Sequence, residues 1–268
     1  MNFFDLSGKV AVVIGATGIL GGAIARGLAG HGAEVAVLGR SEDRGRQRVQ
    51  EIEEAGGRGV FLSVDATDPN ALQGAHKRIG QELGAVDVLV NAAGGNQDQV
   101  TVTDERKIEQ ILPEDWRSCF DLNLVGGALL PCQEFGPAMV ERRRGSIVNI
   151  ASIAAHIPLS RVVAYSSAKA ALVSLTQFLA REWAPQGVRV NSITPGFFPA
   201  EQNRRLLYEE DGTPTPRAQQ ILSHTPMERF GAPEELVGVA VFLASDTASG
   251  FVTGTDIRVD GGFLSKTI

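Results

Sequence analysis

Short apolar runs alternate with longer helix-patterned segments through nearly the whole chain, and this rhythm constrains its fold more than any other feature. Val10 to Ile14, Glu34 to Leu38, Gly59 to Val64, Val86 to Val90, Ser146 to Ala151, Val188 to Thr194 and Asp256 to Val259 read as strands. Several are continuously apolar rather than alternating, the pattern of strands covered on both faces. Helices are predicted to begin near Leu20, Ser41, Pro69, Pro113, Arg161 and Pro233, three of them opening on a proline suited to a first helical turn. Strand–helix alternation implies right-handed crossovers, so the expected architecture is an α/β doubly wound parallel sheet of about seven strands with helices on both faces. No linker, low-complexity segment or repeat divides residues 1–268, so a single domain is expected.

Two polar stretches break the rhythm, at about 94–112 and 197–227. Both leave the carboxyl ends of strands, where open α/β sheets bind ligands, and they are expected to be substrate loops. A chain of 268 residues can bury about three quarters of its unfolded surface and needs no staples. Cys119 and Cys132 fall in what reads as one helix, which would hold them ~20 Å apart, so buried thiols are expected rather than a disulfide. A net charge of −6 argues against nucleic acid as a partner. The N-terminal residues have no basic segment leading into an apolar core, and no run approaches a bilayer span. A soluble, cytoplasmic protein without a membrane partner is expected.

Val12-Val13-Ile14-Gly15-Ala16-Thr17-Gly18-Ile19-Leu20-Gly21-Gly22 joins the first strand to the first helix. Gly15 permits the turn, while Gly18 and Gly21 let phosphates approach backbone at a helix N-terminus, so a Rossmann-like dinucleotide site is expected over Gly15, Thr17, Gly18, Ile19, Leu20 and Gly21. After the second strand, where an acidic residue commonly grips the ribose of NAD, the chain has Gly39-Arg40. A guanidinium there would pair with a 2′-phosphate, favouring NADP(H) over NAD(H), with NAD(H) still possible. Asp65, followed by Ala66, could accept from the adenine amino group or simply build a turn. Asn91-Ala92-Ala93-Gly94 ends the fourth strand with small side chains that leave room for a cofactor.

Tyr165-Ser166-Ser167-Ala168-Lys169 places a phenol and an ammonium four residues apart on one helix face, with Ser152 thirteen residues upstream. Making a tyrosine useful near pH 7 requires about three units, or ~4 kcal/mol. One ammonium ~4 Å away at an effective dielectric of about 20 supplies about that much. Lys169 is therefore expected to acidify Tyr165. Tyr165 would supply a proton and Ser152 a second hydrogen bond to a carbonyl oxygen under reduction. No His/Cys/Asp cluster has metal-ligand spacing, so no metal is implied.

Together the glycine turn, Asp65, Asn91-Ala92-Ala93-Gly94, Asn123, Ser152, Tyr165/Lys169, Pro195-Gly196 and Val259-Asp260-Gly261-Gly262 resemble the short-chain dehydrogenase/reductase superfamily over essentially the whole chain. One departure is that the middle glycine falls at Gly18, with Ile19 at its more common place. The resemblance implies that Asn123 positions a water for proton relay, that Lys169 also holds the nicotinamide ribose, and that Pro195 and Gly196 border the cofactor. It further implies a homotetramer built through the helices starting near Pro113 and Arg161, with the C-terminal segment at a second contact; Ala164, Ala168 and Ala171 would permit close helix approach and equally suit packing inside the subunit.

The loops look like the D-mannonate oxidoreductase (fructuronate reductase) branch, through Gly94-Gly95-Asn96, Pro195-Gly196-Phe197-Phe198, Glu201 to Leu207 and His224-Thr225-Pro226-Met227. That likeness implies interconversion of D-fructuronate and D-mannonate, a small-molecule sugar-acid substrate. A carboxylate substrate calls for guanidinium or amide donors. Arg161, Gln202, Asn203 and Asn96 are the candidates, with Arg204, Arg205 and His156 near the same mouth. Two other readings stay open: a reductase of uncharged keto sugars, polyols or other carbonyl compounds, and a non-catalytic dinucleotide-binding redox sensor.

Overall fold

The computed structural model describes residues 2–199 and 207–267. Seven strands form one parallel sheet in the order β3-β2-β1-β4-β5-β6-β7: β1 Val10–Ile14, β2 Glu34–Gly39, β3 Arg58–Ser63, β4 Val86–Asn91, β5 Gly145–Ile150, β6 Val188–Pro195 and β7 Asp256–Val259. Alternate residues of each buried strand serve opposite faces, which is why the runs are continuously apolar. Ala11, Val13, Val35, Val37, Val88 and Val90 pack beneath α1 (Ile19–Gly30) through Ile24 and Leu28. Val10, Val12, Ile14, Leu38 and Leu89 pack on the other face under α3 (Pro69–Glu82), through Leu72 and Ile79. Between them in sequence, α2 (Glu42–Glu54) follows β2.

β1, β2 and β3 step outward in one direction, and β4 returns to the other side of β1. The reversal opens a crevice outside the carboxyl ends of β1 and β4, the topological switch point where such sheets hold ligands. The other α-helices among the described residues are α4 (Pro113–Phe120), α5 (Leu130–Glu141), α6 (Val163–Trp183), α7 (Pro216–His224), α8 (Val237–Ala244) and the short α9 (Asp246–Ser249).

Four expectations are revised. The helix predicted near Arg161 begins at Val163, and Arg161 itself is left-handed at φ 74°, so it is not part of a helical turn leading to Tyr165. The single helix expected around Cys119 and Cys132 is α4 and α5 joined by a π-helical segment, Asp121–Leu129; both cysteines are buried and free. Pro233 opens a short 3-10 turn, Pro233–Leu236, before α8. Finally, the second polar stretch contains α7, capped by Thr215, whose side chain accepts from Ala218 N–H at 3.1 Å.

Candidate active site

The glycine turn lies against the end of β4. Gly15 has φ 81°, and a Cβ there would stand 2.6 Å from Ala93 N and 2.7 Å from Ala92 C. A Cβ at Gly21 would meet Gly15 O at 2.5 Å, so the first turn of α1 closes down on the loop. Gly18 is the N-cap and has no side chain to cap the helix, leaving first-turn N–H groups to an external acceptor. Ile19 follows, 38% exposed, at the place where the common pattern puts glycine.

The rest of the crevice edge is built the same way. Thr17 rests on Gly39, where a Cβ would be 2.4 Å from Thr17 Oγ1. Arg40 is exposed just beyond β2, and its charge reaches the Asp65 carboxylate. Asp65 Oδ1 accepts from Thr67 N–H at 2.9 Å and Thr67 O–H at 2.7 Å; these bonds hold its carboxyl below the usual range and build the turn the sequence left open. Ala66 O lies under Gly126, where a Cβ would come within 2.9 Å of it. Pro195 ends β6, and Gly196 N–H donates to Val259 O at 2.9 Å. Bare glycine backbone, the opening of α1 and the small Ala92-Ala93-Gly94 wall fit a dinucleotide laid along this edge.

Three residues expected to face ligands do not. Asn91 is fully buried: its Nδ2 donates to Asn149 Oδ1 at 2.8 Å, and Asn149 Nδ2 donates to Thr176 Oγ1 at 2.9 Å. Its side chain ties β4 to β5, from which Asn149 carries the link on to α6, and only its main chain could border a cofactor. The Asn96 amide is taken by Thr101 Oγ1 at 2.6 Å, within its own loop. His156 also turns inward, with Nε2 3.1 Å from Asp256 Oδ2 and 3.3 Å from Thr194 Oγ1. Gln202 and Asn203, with Arg204 and Arg205, lie outside the described residues.

At the mouth of the crevice, Ser152, Tyr165, Lys169 and Asn123 come together. Ser152 follows β5 and caps the 3-10 turn Ile153–Ala155, its Oγ accepting from Ala154 N–H at 3.1 Å. The Ser152 hydroxyl lies close enough to the Tyr165 phenol to favour its ionised form. Lys169, one turn along α6, donates from Nζ to Ile150 O at 2.8 Å and stands 5.8 Å from the Tyr165 ring centroid. Asn123 sits in the π-helical segment, where irregular winding often marks functional sites. Its Oδ1 accepts from Gly95 N–H at 2.8 Å, and its Nδ2 donates to Gly95 O at 2.9 Å and Cys119 O at 3.0 Å. Asn123 Oδ1 and Lys169 Nζ would lie 2.7 and 3.3 Å from a Cβ on Gly94, so all three converge on the β4 exit.

The electrostatics differ from the expectation. Burial raises the Tyr165 phenol above its ordinary value, and the nearby Ser152 hydroxyl only partly offsets this. Burial also pulls Lys169 down, to about 8. Spacing alone indicated proximity, whereas desolvation is the largest influence on both groups. The amine is spent on the Ile150 carbonyl, and Tyr165 is kept as a neutral acid.

One charged residue near this mouth escaped the sequence reading. Arg217, on α7, lies close enough to Arg161 for their charges to repel. The signal was available in Thr215-Pro216, an N-cap followed by a first-turn proline, which announces a helix inside the polar stretch.

A phosphate-ready helix N-terminus at a switch point, beside a neighbouring serine and tyrosine and a buried lysine, defines a dinucleotide-dependent oxidoreductase. The family profile described as enoyl-(acyl carrier protein) reductase, adh_short_C2, matches residues 15–264. An uncharacterised oxidoreductase of Bacillus subtilis, UxuB, is 41% identical over 97% of this chain and 96% of its own. The crystal structure of a provisionally assigned D-mannonate oxidoreductase from Haemophilus influenzae, with bound NAD, superposes with a TM-score of 0.92 at 34% identity, covering 98% of this chain and 97% of that one. A gluconate 5-dehydrogenase from Burkholderia cenocepacia, in complex with NADP and tartrate, gives 0.88 at 29% identity, covering 99% and 98%. The chain belongs to the short-chain dehydrogenase/reductase superfamily. It is an enzyme of the kind that acts on CH–OH groups with a nicotinamide dinucleotide.

Proposed function

We propose that this enzyme interconverts a keto sugar acid and its alcohol, with D-fructuronate and D-mannonate as the leading pair. The chemistry rests on the convergence of Ser152, Tyr165 and the buried Lys169, whose Nζ stands 5.8 Å from the Tyr165 ring centroid. The substrate class rests on the sugar-acid names carried by the two structural neighbours and on the polar loop, residues 94–112, at the site's edge. A bound nicotinamide dinucleotide would donate or accept the hydride. It would be held by Gly15, Thr17, Gly18, Ile19, Leu20 and Gly21, with Arg40 and Asp65-Ala66 at the adenosine end and Ala92-Gly94, Lys169 and Pro195-Gly196 towards the nicotinamide.

In reduction, Tyr165 gives its proton to the developing alkoxide, and Ser152 hydrogen-bonds the same oxygen. Lys169 and Asn123 line the route by which Tyr165 is reprotonated. Because burial raises the phenol's pKa, the hydroxyl stays protonated at neutral pH, the form that reduction needs. Reduction is expected to stay level through neutrality and fall in alkali. Oxidation needs the phenolate, so it should climb by about tenfold per pH unit until Tyr165 titrates. Profiles of kcat/KM in both directions check this; an oxidation rate peaking below pH 7 would contradict the assignment.

The substrate proposal is tested by following nicotinamide absorbance with mannonate, fructuronate, tagaturonate, gluconate and neutral ketoses and polyols, using both cofactors. Sugar acids should exceed neutral compounds in kcat/KM; the reverse order would support the uncharged-substrate reading. In the same assay, NADP(H) is proposed as the preferred cofactor through Arg40. Arg40→Asp should weaken NADPH by roughly 10- to 100-fold, the loss of a charge-assisted bond, with little change for NADH. Equal effects on both would dismiss the 2′-phosphate contact.

A cytoplasmic homotetramer accords with this reading. No helix among the described residues is long and apolar enough to cross a membrane. Phe178 on α6 is 54% exposed, Leu112 before α4 is 53% exposed, and Phe251 near β7 is fully so, which leaves apolar surface where the subunit contacts were expected. Ala164 and Ala168 do not contribute to it, since both are buried inside the subunit.

A further inference from the structure

We infer that Arg161 and Arg217 form a two-guanidinium clamp for the carboxylate of the substrate. The inference rests on the proposed sugar-acid chemistry and assigns residues to its recognition.

Arg161 stands four positions before Tyr165, in a left-handed conformation that a side chain rarely adopts. The conformation is held in place, because Arg161 O accepts from Val102 N–H at 2.8 Å, tying the segment before α6 to the loop after β4. Strained backbone fixed by a neighbouring loop is a recurrent property of ligand-holding positions.

Arg217 arrives from the other side. α7 is anchored by Ala218 and Ile221, which pack with Ile153 and, around them, Ile157 and Leu159. Those last three residues belong to the segment running from Ser152 to Tyr165. The helix is therefore seated on the chain that carries both hydroxyls, and its first turn brings Arg217 within reach of the Arg161 charge.

The two guanidiniums share one feature: neither has a hydrogen bond or ion pair among the described residues. Elsewhere the chain pairs such groups with acids, as in Arg26–Glu51, Arg58–Glu34 and Arg229–Glu235. Here two like charges are brought together, one exposed and one half-buried. Burial and the nearby Arg161 charge hold Arg217 below the usual guanidinium range. An anion accepting from both would relieve the repulsion, and a planar carboxylate matches guanidinium donors. Such an anion would be held at the Tyr165 mouth, fixing one end of the substrate and leaving the alcohol carbon to reach the hydroxyls.

Arg161→Gln and Arg217→Gln, first checked for unchanged thermal melting, test the clamp with the cofactor-loaded enzyme. Tartrate binding is measured by calorimetry, and turnover is compared between a sugar acid and its uncharged amide. Each variant should weaken tartrate and lower kcat/KM for the acid by roughly 10- to 100-fold, while the amide changes less than about threefold. Arg217→Lys should restore part of the loss. Unchanged tartrate affinity in both variants, no tartrate binding by the parent enzyme, or equal losses on acid and amide would overturn the clamp. A parent enzyme that binds tartrate through these arginines yet turns over only neutral polyols would refute the sugar-acid proposal, leaving an anion site that holds no substrate carboxylate.

Discussion

Tyr165→Phe is expected to lower turnover by about 10²- to 10⁴-fold in both directions while leaving dinucleotide affinity within about threefold. The substitution removes one oxygen and keeps the ring, which packs against the buried cluster of Val100, Cys119 and Ala164. Ser152 loses its neighbouring hydroxyl but still accepts from Ala154 N–H, so the turn after β5 should hold. Lys169 keeps its bond to Ile150 O, and the β4 exit beside it is unaltered. Steady-state rates and a fluorescence titration with the dinucleotide separate the two quantities. Retained turnover would mean that another group supplies the proton.

The largest structural loss is expected from Gly15→Ala. Its φ of 81° costs a side-chain-bearing residue about 1–2 kcal/mol. The new methyl would also meet backbone atoms of Ala92 and Ala93 at 2.6–2.8 Å, and neither can swing aside as a flexible side chain would. Overpacking of this kind adds about 1–3 kcal/mol. At about 2–4 °C per kcal/mol for a domain approaching this size, the melting temperature should fall by about 5–15 °C. Dinucleotide affinity should fall with it, because the turn and the β4 exit form the two walls of one crevice. Gly74→Ala in α3 is the matched control, since nothing lies within 4 Å of its added Cβ. Thermal melting and dinucleotide titration of the pair settle the matter; equal melting temperatures would show that the turn relaxes freely.

Sheet and cofactor turn were legible in the sequence because burial on both faces leaves uninterrupted apolar runs whose ends are marked by glycine. The observed bounds depart from the expected ones by about a residue, as for Arg58–Ser63 against Gly59 to Val64. Ser152, Tyr165 and Lys169 were legible because helical spacing dictates that the last two share a face. What escaped lacks a periodic signature. The left-handed turn at Arg161 depends on Val102, remote in sequence, and α7 was masked by the polarity of its surroundings. Asn91 looked like a cofactor residue from its place at a strand end, whereas its partner Asn149, itself bonded to Thr176, lies on another element. The phenol's raised pKa could not be read from a four-residue interval, because an interval carries no information about solvent.

The π-helical turn around Asn123 has a bearing on how substrate range can change. Its wider winding frees one amide to grip the helix at Cys119 and the strap at Gly95 together, so the near end of the 94–112 segment is moored to the molecule's interior. Beyond that mooring, Val100 packs against the Tyr165 ring and Val102 bonds Arg161, so the part of the segment open to rebuilding, lengthening or recharging is its exposed stretch around residues 104–110. Divergent specificities on this scaffold would then be written into that outer stretch, with the inner anchorage kept as a common base.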